Sequence, residues 1–185
     1  MPYIRPAEEK DLHNIEYICR MTAGPDSRAI EAVGKKIALT YSTYYARAER
    51  ETCFVLDDNG TAVGYILCAP DYKKYIRGYR KNEVKQLWKM DKKQSLTAYF
   101  LPLGYLPFRR KYPAHLHIDI LDDYQGKGYG SQMMDTLLKK LIEMNIPGVM
   151  LIVDQSNEGA QRFYERAGFR KIISACGGVV MAKEL

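Results

Sequence analysis

Apolar residues recur along this chain at two spacings, and each spacing predicts an element. Leu12, Ile15, Ile18 and Cys19 fall on one helical face, which predicts a helix over 7–22. Gly24-Pro25 interrupts it. Asp26 or Ser27 then offers an N-cap, and a second helix is predicted to about Arg50, with Ile30, Val33, Ile37 and Tyr41 on one face. Residues 52–56 and 62–68 read as two strands joined by the turn Asp57-Asp58-Asn59-Gly60. Residues 2–5 read as a short first strand, and 114–121 and 149–153 as apolar buried ones. Met133, Met134, Leu137, Leu138 and Leu141 place a helix over 128–145. Asn157 can cap another over 158–167, which Gly168 can close in the left-handed position. The strands 169–174 and 179–183 are predicted to pair antiparallel across Gly177-Gly178.

That order is a mixed α/β sheet, mostly antiparallel, with helices on both faces. The 185 residues suit one domain, 1–185, large enough to bury a core. Residues 70–112 interrupt the sheet. Within them 72–90 reads as helical and 101–112, with three Pro/Gly positions, as irregular.

Composition changes this picture at two points. Hydrophobic content of 46% and charged content of 27% are those of an ordinary globular chain, and no run approaches the roughly 18 apolar residues of a membrane span. Arg5, Glu8 and Glu9 leave no room for a secretory apolar core near the start, so a cytoplasmic protein without a membrane partner is expected. Four scattered cysteines without C-x-x-C spacing and three histidines point to reduced thiols and give no case for a metal. The second point is charge. The interruption holds 12 Lys/Arg against 3 acids, together with 6 of the 15 tyrosines and the one Trp, while the whole chain nets only +6. Such a segment can attract a polyanionic ligand, can contact nucleic acid, or can be a solvated helix face over an aromatic cluster.

The chemistry concentrates between His115 and Phe169. A strand, HLHIDIL, runs into the turn QGKGYG (Gln125 to Gly130) and then a helix. A Gly-rich turn at a helix N-terminus aims backbone N–H groups outward and suits a phosphate. Downstream lie Asn157, Ala160, Phe163-Tyr164 and Gly168-Phe169. Gln125, Gly128 and Gly130 followed by that set resemble the GCN5-related N-acetyltransferases (GNAT), which move an acetyl group from acetyl-CoA to an amine. The resemblance implies the GNAT fold, in which the strands at 114–121 and 149–153 are parallel and splay apart to admit pantetheine. It implies that Gln125, Gly126, Lys127, Gly128, Tyr129, Gly130 and Ser131 hold the pyrophosphate. It also implies that backbone atoms of Asp119, Ile120 and Leu121 pair with the pantetheine amides, that Asn157 contacts the same arm, and that Tyr164 protonates the departing thiolate. CFVLDDNGTAVGYILCAPDYKKYI together with HLHIDI is similar to the acetyltransferase-like domain at the C-terminus of animal O-GlcNAc hydrolases and to its free-standing bacterial relatives. That similarity suggests that 70–112 forms a lid over the acceptor side.

An alkylammonium, with a pKa near 10.4, must lose a proton before it attacks a thioester. Asp119 and His117 are the candidate bases, and the sequence leaves both open. An acetyl-Cys intermediate is disfavoured because no Cys lies on the motif strands or the loop. The expected partners are acetyl-CoA and an amine acceptor of unspecified class. Nucleic acid is not an expected partner, and members of the family are often homodimers. The rival reading is a non-catalytic module that binds CoA, a protein or RNA through the basic segment.

Overall fold

The computed structural model describes residues 1–185. Seven strands form one sheet: β1 (Tyr3–Pro6), β2 (Cys53–Asp58), β3 (Thr61–Ala69), β4 (Ala114–Ile120), β5 (Gly148–Asp154), β6 (Arg170–Ala175) and β7 (Gly178–Glu184). Their spatial order is β1-β2-β3-β4-β5-β7-β6, and every neighbouring pair is antiparallel except β4 with β5. The parallel pair is joined only at Ala114–Val149 and His115–Met150. Beyond those residues β4 and β5 part, while β4 stays paired to β3 as far as Ile120. The predicted mixed sheet is therefore present, with a split at its centre.

Nine helices accompany it: α1 (Leu12–Thr22), α2 (Pro25–Ala29), α3 (Glu31–Tyr41), α4 (Thr43–Ala48), α5 (Tyr72–Tyr79), α6 (Lys85–Met90), α7 (Lys92–Phe100), α8 (Tyr129–Glu143) and α9 (Glu158–Arg166). On one face of the sheet Met133, Met134, Leu137, Leu138 and Leu141 of α8 pack with Tyr164 and Phe169. On the other, Ile15, Ile18 and Cys19 of α1 pack with Tyr44, Tyr45, Tyr75 and Tyr79. Each such side chain, fully buried, contributes about 1.5–3 kcal/mol before entropy is set against it.

Three predicted boundaries move. The first helix begins at Leu12, behind a 3-10 turn over Glu9–Asp11, because the Asp11 carboxylate accepts from the Glu8 N–H and from the Arg5 guanidinium. The long helix expected to reach Arg50 is three helices. The cap is Gly24, with Pro25 in the first turn; neither Asp26 nor Ser27 serves. Arg20 donates to the Ser27 and Arg28 carbonyls, and the chain turns extended at Ile30. The third change is in the interruption. It is largely helical, with a π-turn at Arg80–Val84 between α5 and α6 and a 3-10 turn at Leu101–Tyr105. Asp91 ends α6 and caps α7 by accepting from the Gln94 N–H at 3.0 Å. Of the interruption's tyrosines, Tyr72, Tyr75, Tyr79 and Tyr112 are buried: Tyr79 donates to the Thr40 carbonyl and Tyr72 to the Pro102 carbonyl, both at 3.1 Å.

Candidate active site

At the wide end of the split lies a cavity of about 530 Å³, floored by Ile118, Asp119 and Ile120 of β4 and walled by the 124–131 turn and by α9. The turn is built for an anion. Gly126 and Gly128 have φ of 70° and 82°, which a side chain would oppose. A Cβ on Gly130 would meet the Phe163 ring at 3.3 Å. The six backbone N–H groups from Gly126 to Ser131 donate to no group in the protein. They sit on the positive end of α8. Gln125 anchors the turn by donating from Nε2 to the Ile120 carbonyl at 2.7 Å. Lys127 folds back onto the Asp123 carbonyl at 2.6 Å and over the Tyr124 ring, on the loop's exposed side. Arg166, which the sequence pattern does not single out, brings a guanidinium to the same cavity.

The strand backbone requires two corrections, at Asp119 and at Leu121. Leu121, expected to pair with an entering amide, is already engaged: its N–H donates to the Val63 carbonyl and its carbonyl accepts from Tyr124. Strand groups alternate sides, so the backbone groups of Ile118 and Ile120 face the split and those of Asp119 and Leu121 face β3. Of the three residues expected to turn backbone groups to the split, only Ile120 does, and Ile118 joins it. Asn157 caps α9, with Oδ1 accepting from the Ala160 N–H at 3.0 Å, and is not among the residues that line the cavity.

The two strand histidines have different surroundings. His115 is 0% exposed, lies 4.2 Å from the Tyr75 ring centre and 4.7 Å from that of Tyr105, and has no partner on either nitrogen. Burial lowers it to about 3, so it is a neutral ring in an aromatic cluster. His117 has its Nε2 3.2 Å from Asp119 Oδ2, and the same oxygen accepts from the Tyr65 hydroxyl. Burial alone would pull His117 down, but the Asp119 carboxylate and Cys19 outweigh it and hold the imidazolium well above its ordinary range. The Asp119 carboxylate thus favours the charged form of His117.

Cys19 is the feature that spacing concealed. It reaches the pair from α1, and its sulfur, an imidazole nitrogen and a carboxylate oxygen lie within 4.8 Å of one another. No spacing in the sequence pairs a Cys with a His, yet helix and strand bring these two together. Cys19 is 1% exposed.

Tyr164 lines the first cavity from α9 and is 9% exposed. Burial, and after it the Asp119 charge, raises its hydroxyl above the usual phenol range. A second cavity of about 410 Å³ opens on the other side of the pair, lined by His117 and Leu116 of β4, Ile152 and Val153 of β5, and a group of tyrosines. His117 faces the second cavity and Asp119 the first, so the two bonded side chains span the split.

No helix is long and apolar enough to cross a membrane. The chain matches the model of the acetyltransferase (GNAT) family over residues 12–169. It is 32% identical to SsHAT, a protein of known crystal structure, over 99% of this chain and 98% of that one, with a TM-score of 0.88. The PaiA N-acetyltransferase of Thermoplasma acidophilum, solved in complex with coenzyme A, superposes with a TM-score of 0.66 at 15% identity, over 100% of this chain and 99% of that one. The ribosomal-protein-S18-alanine N-acetyltransferase of Escherichia coli does so at 0.59 and 19%, over 100% and 94%. At those identities the two share the fold with this chain. With the split sheet, the glycine turn and the family match over most of its length, the chain belongs to the GNAT family of acetyltransferases.

Proposed function

We propose that this protein transfers an acetyl group from acetyl-CoA to a primary amine directly, within one ternary complex. One observation carries the reading: a cavity with six unengaged N–H groups and a second, tyrosine-lined cavity meet at the Asp119–His117 pair. The pyrophosphate would sit on the 126–131 turn, with Arg166 alongside, and the pantetheine amides would pair with Ile118 and Ile120. The amine would arrive from the second cavity. His117⁺ and the apolar walls both disfavour an ammonium there, so the neutral amine is the form that reaches the thioester. Its nitrogen attacks the carbonyl carbon. As the N–C bond forms, the nitrogen becomes acidic and gives its proton to Asp119, whose Oδ1 is free of both Tyr65 and His117. The C–S bond breaks, and the sulfur takes a proton from Tyr164. The products are an amide and the CoA thiol.

Isothermal calorimetry with acetyl-CoA tests the reading, on the wild type and on the double variant Gly128→Asp, Gly130→Asp. Micromolar binding by the wild type and none by the folded variant is the expected result. No binding by folded wild type would sink the reading. The basic segment would then be the functional surface, and nucleic-acid affinity falling steeply with salt would mark an RNA contact.

A further inference from the structure

The second cavity is unlike a site for a sugar or a polycation. Four tyrosines, Tyr41, Tyr45, Tyr75 and Tyr105, form its walls, with Leu116 and Ile152 closing the side along the split. No Lys or Arg lines it. Its one carboxylate, Asp154, lies at the exposed mouth and is occupied by the Ser156 N–H and hydroxyl, both on Oδ1. Behind the rings His115 is sealed and neutral, and the one charged ring in the lining is His117, whose centre lies 5.9 Å from that of Tyr41. At about 410 Å³ the cavity falls in the lower part of the roughly 300–1,000 Å³ range of small-molecule sites.

From the proposed acetyl transfer, on which this step rests, we infer that the acceptor is a small monoamine whose amino group is carried on a short linker from a flat aromatic body. The rings and aliphatic walls cover an apolar body. The neutral amino group then reaches the His117–Asp119 pair. A polyol body would leave hydroxyls unpaired against these walls, which disfavours amino sugars. A second ammonium would find only Asp154. The basic segment, with 12 Lys/Arg against 3 acids, also repels a polycation on its approach.

The test is steady-state N-acetylation at saturating acetyl-CoA, read as product by mass spectrometry, with phenethylamine, tryptamine, spermidine and glucosamine as acceptors. The arylalkylamines are expected to lead in kcat/KM by about tenfold or more, the ratio of one modest contact difference. Tyr41, 37% exposed at the rim, can be altered without opening the core. Tyr41→Ala is expected to raise the acceptor KM roughly tenfold with the acetyl-CoA KM unchanged, and Tyr41→Phe to restore it. Turnover that favours spermidine or glucosamine would overturn the inference and leave acetyl transfer standing. So would Tyr41→Ala moving both KM values alike. If no amine is turned over, calorimetry of tryptamine on the CoA complex decides: binding lost in Tyr41→Ala supports the inference, and no binding overturns it. Failure of acetyl-CoA itself to bind would remove the underlying reading.

Discussion

Tyr164 is where chemistry depends on one oxygen. Its ring packs in the α8–α9 core, with Phe163 5.2 Å and Phe169 5.9 Å away between ring centres, so removing the hydroxyl leaves the packing intact. The hydroxyl lies in the first cavity and is held protonated by burial and by the Asp119 charge. A phenol that resists ionisation is a proton donor to a departing thiolate. Tyr164→Phe should lower kcat by about 10²-fold, the lower end of what a positioned acid contributes. The acetyl-CoA Kd by calorimetry should hold. A kcat that survives the substitution across the working pH range would take Tyr164 out of the mechanism. The residue scale also separates the two strand histidines. Sequence parity puts His115, His117 and Asp119 on one face of β4, and they share it. Parity brings the Asp119 carboxylate to His117, but it cannot say that tyrosines seal His115, since those neighbours come from α4, α5 and the 101–105 turn.

Among elements, the junction of β1, α1 and the β2–β3 hairpin rests on one guanidinium. Arg5 donates from Nε to Asp57 at 2.8 Å and from both terminal nitrogens to Asp11 at 2.6 and 2.8 Å, and both carboxylates are 1% exposed. Arg5→Leu would strand two buried charges, a change that costs about 3–5 kcal/mol. Urea unfolding should show it as a fall in midpoint with the slope unchanged. The pH response follows the same network. Burial works against Asp11 ionisation, but the Arg5 bonds outweigh it and lower its pKa below the ordinary 3.8. Its stability contribution is therefore full above that value and is lost as pH falls through the lower folded one. A wild-type Tm that did not drop faster in acid than that of Arg5→Leu would contradict the assignment. Elements of this kind divide by legibility. The strands, α8 and α9 were readable because period and caps act locally: Leu137 and Leu141 mark one face, and Asn157 caps as expected. The break at Ile30 was not, because Arg20 of α1 bonds the Ser27 and Arg28 carbonyls of α2. Nor was α7, whose KKQSLTAYF leaves Leu96, Tyr99 and Phe100 exposed and buries only Ser95 and Ala98. In the site, the glycine turn was legible from backbone chemistry. Which backbone groups of β4 face the split depended on which edge pairs with β3, and Cys19 on where α1 packs.

For the molecule as a whole, the basic segment is a structural layer as well as a wall of the second cavity. Tyr75, Tyr79, Val84 and Leu87 belong to the same buried cluster as α1 and α4, so the segment cannot swing free as a detached lid. Its lysines and arginines face solvent around Trp88 and Phe100, which are 50% and 57% exposed. At its π-turn the layer buries Glu83, 1% exposed, with Oε2 lacking any partner. Burial pushes this carboxyl up to about 7 from 4.5, against smaller opposing effects of a backbone bond and Arg47. A raised folded value means that the native state holds the proton more tightly than the unfolded chain. Glu83 therefore supports the fold fully below 4.5, and that support is lost as pH rises through about 7. Glu83→Gln keeps the neutral shape and removes the titration. Because the layer is continuous with the second core, the effect should appear in global unfolding. Thermal unfolding should show the variant above wild type at pH greater than 7 and level with it below 4.5. Equal Tm values throughout would mean that the carboxylate finds solvent in the native state and that the segment is more loosely attached than its buried tyrosines indicate.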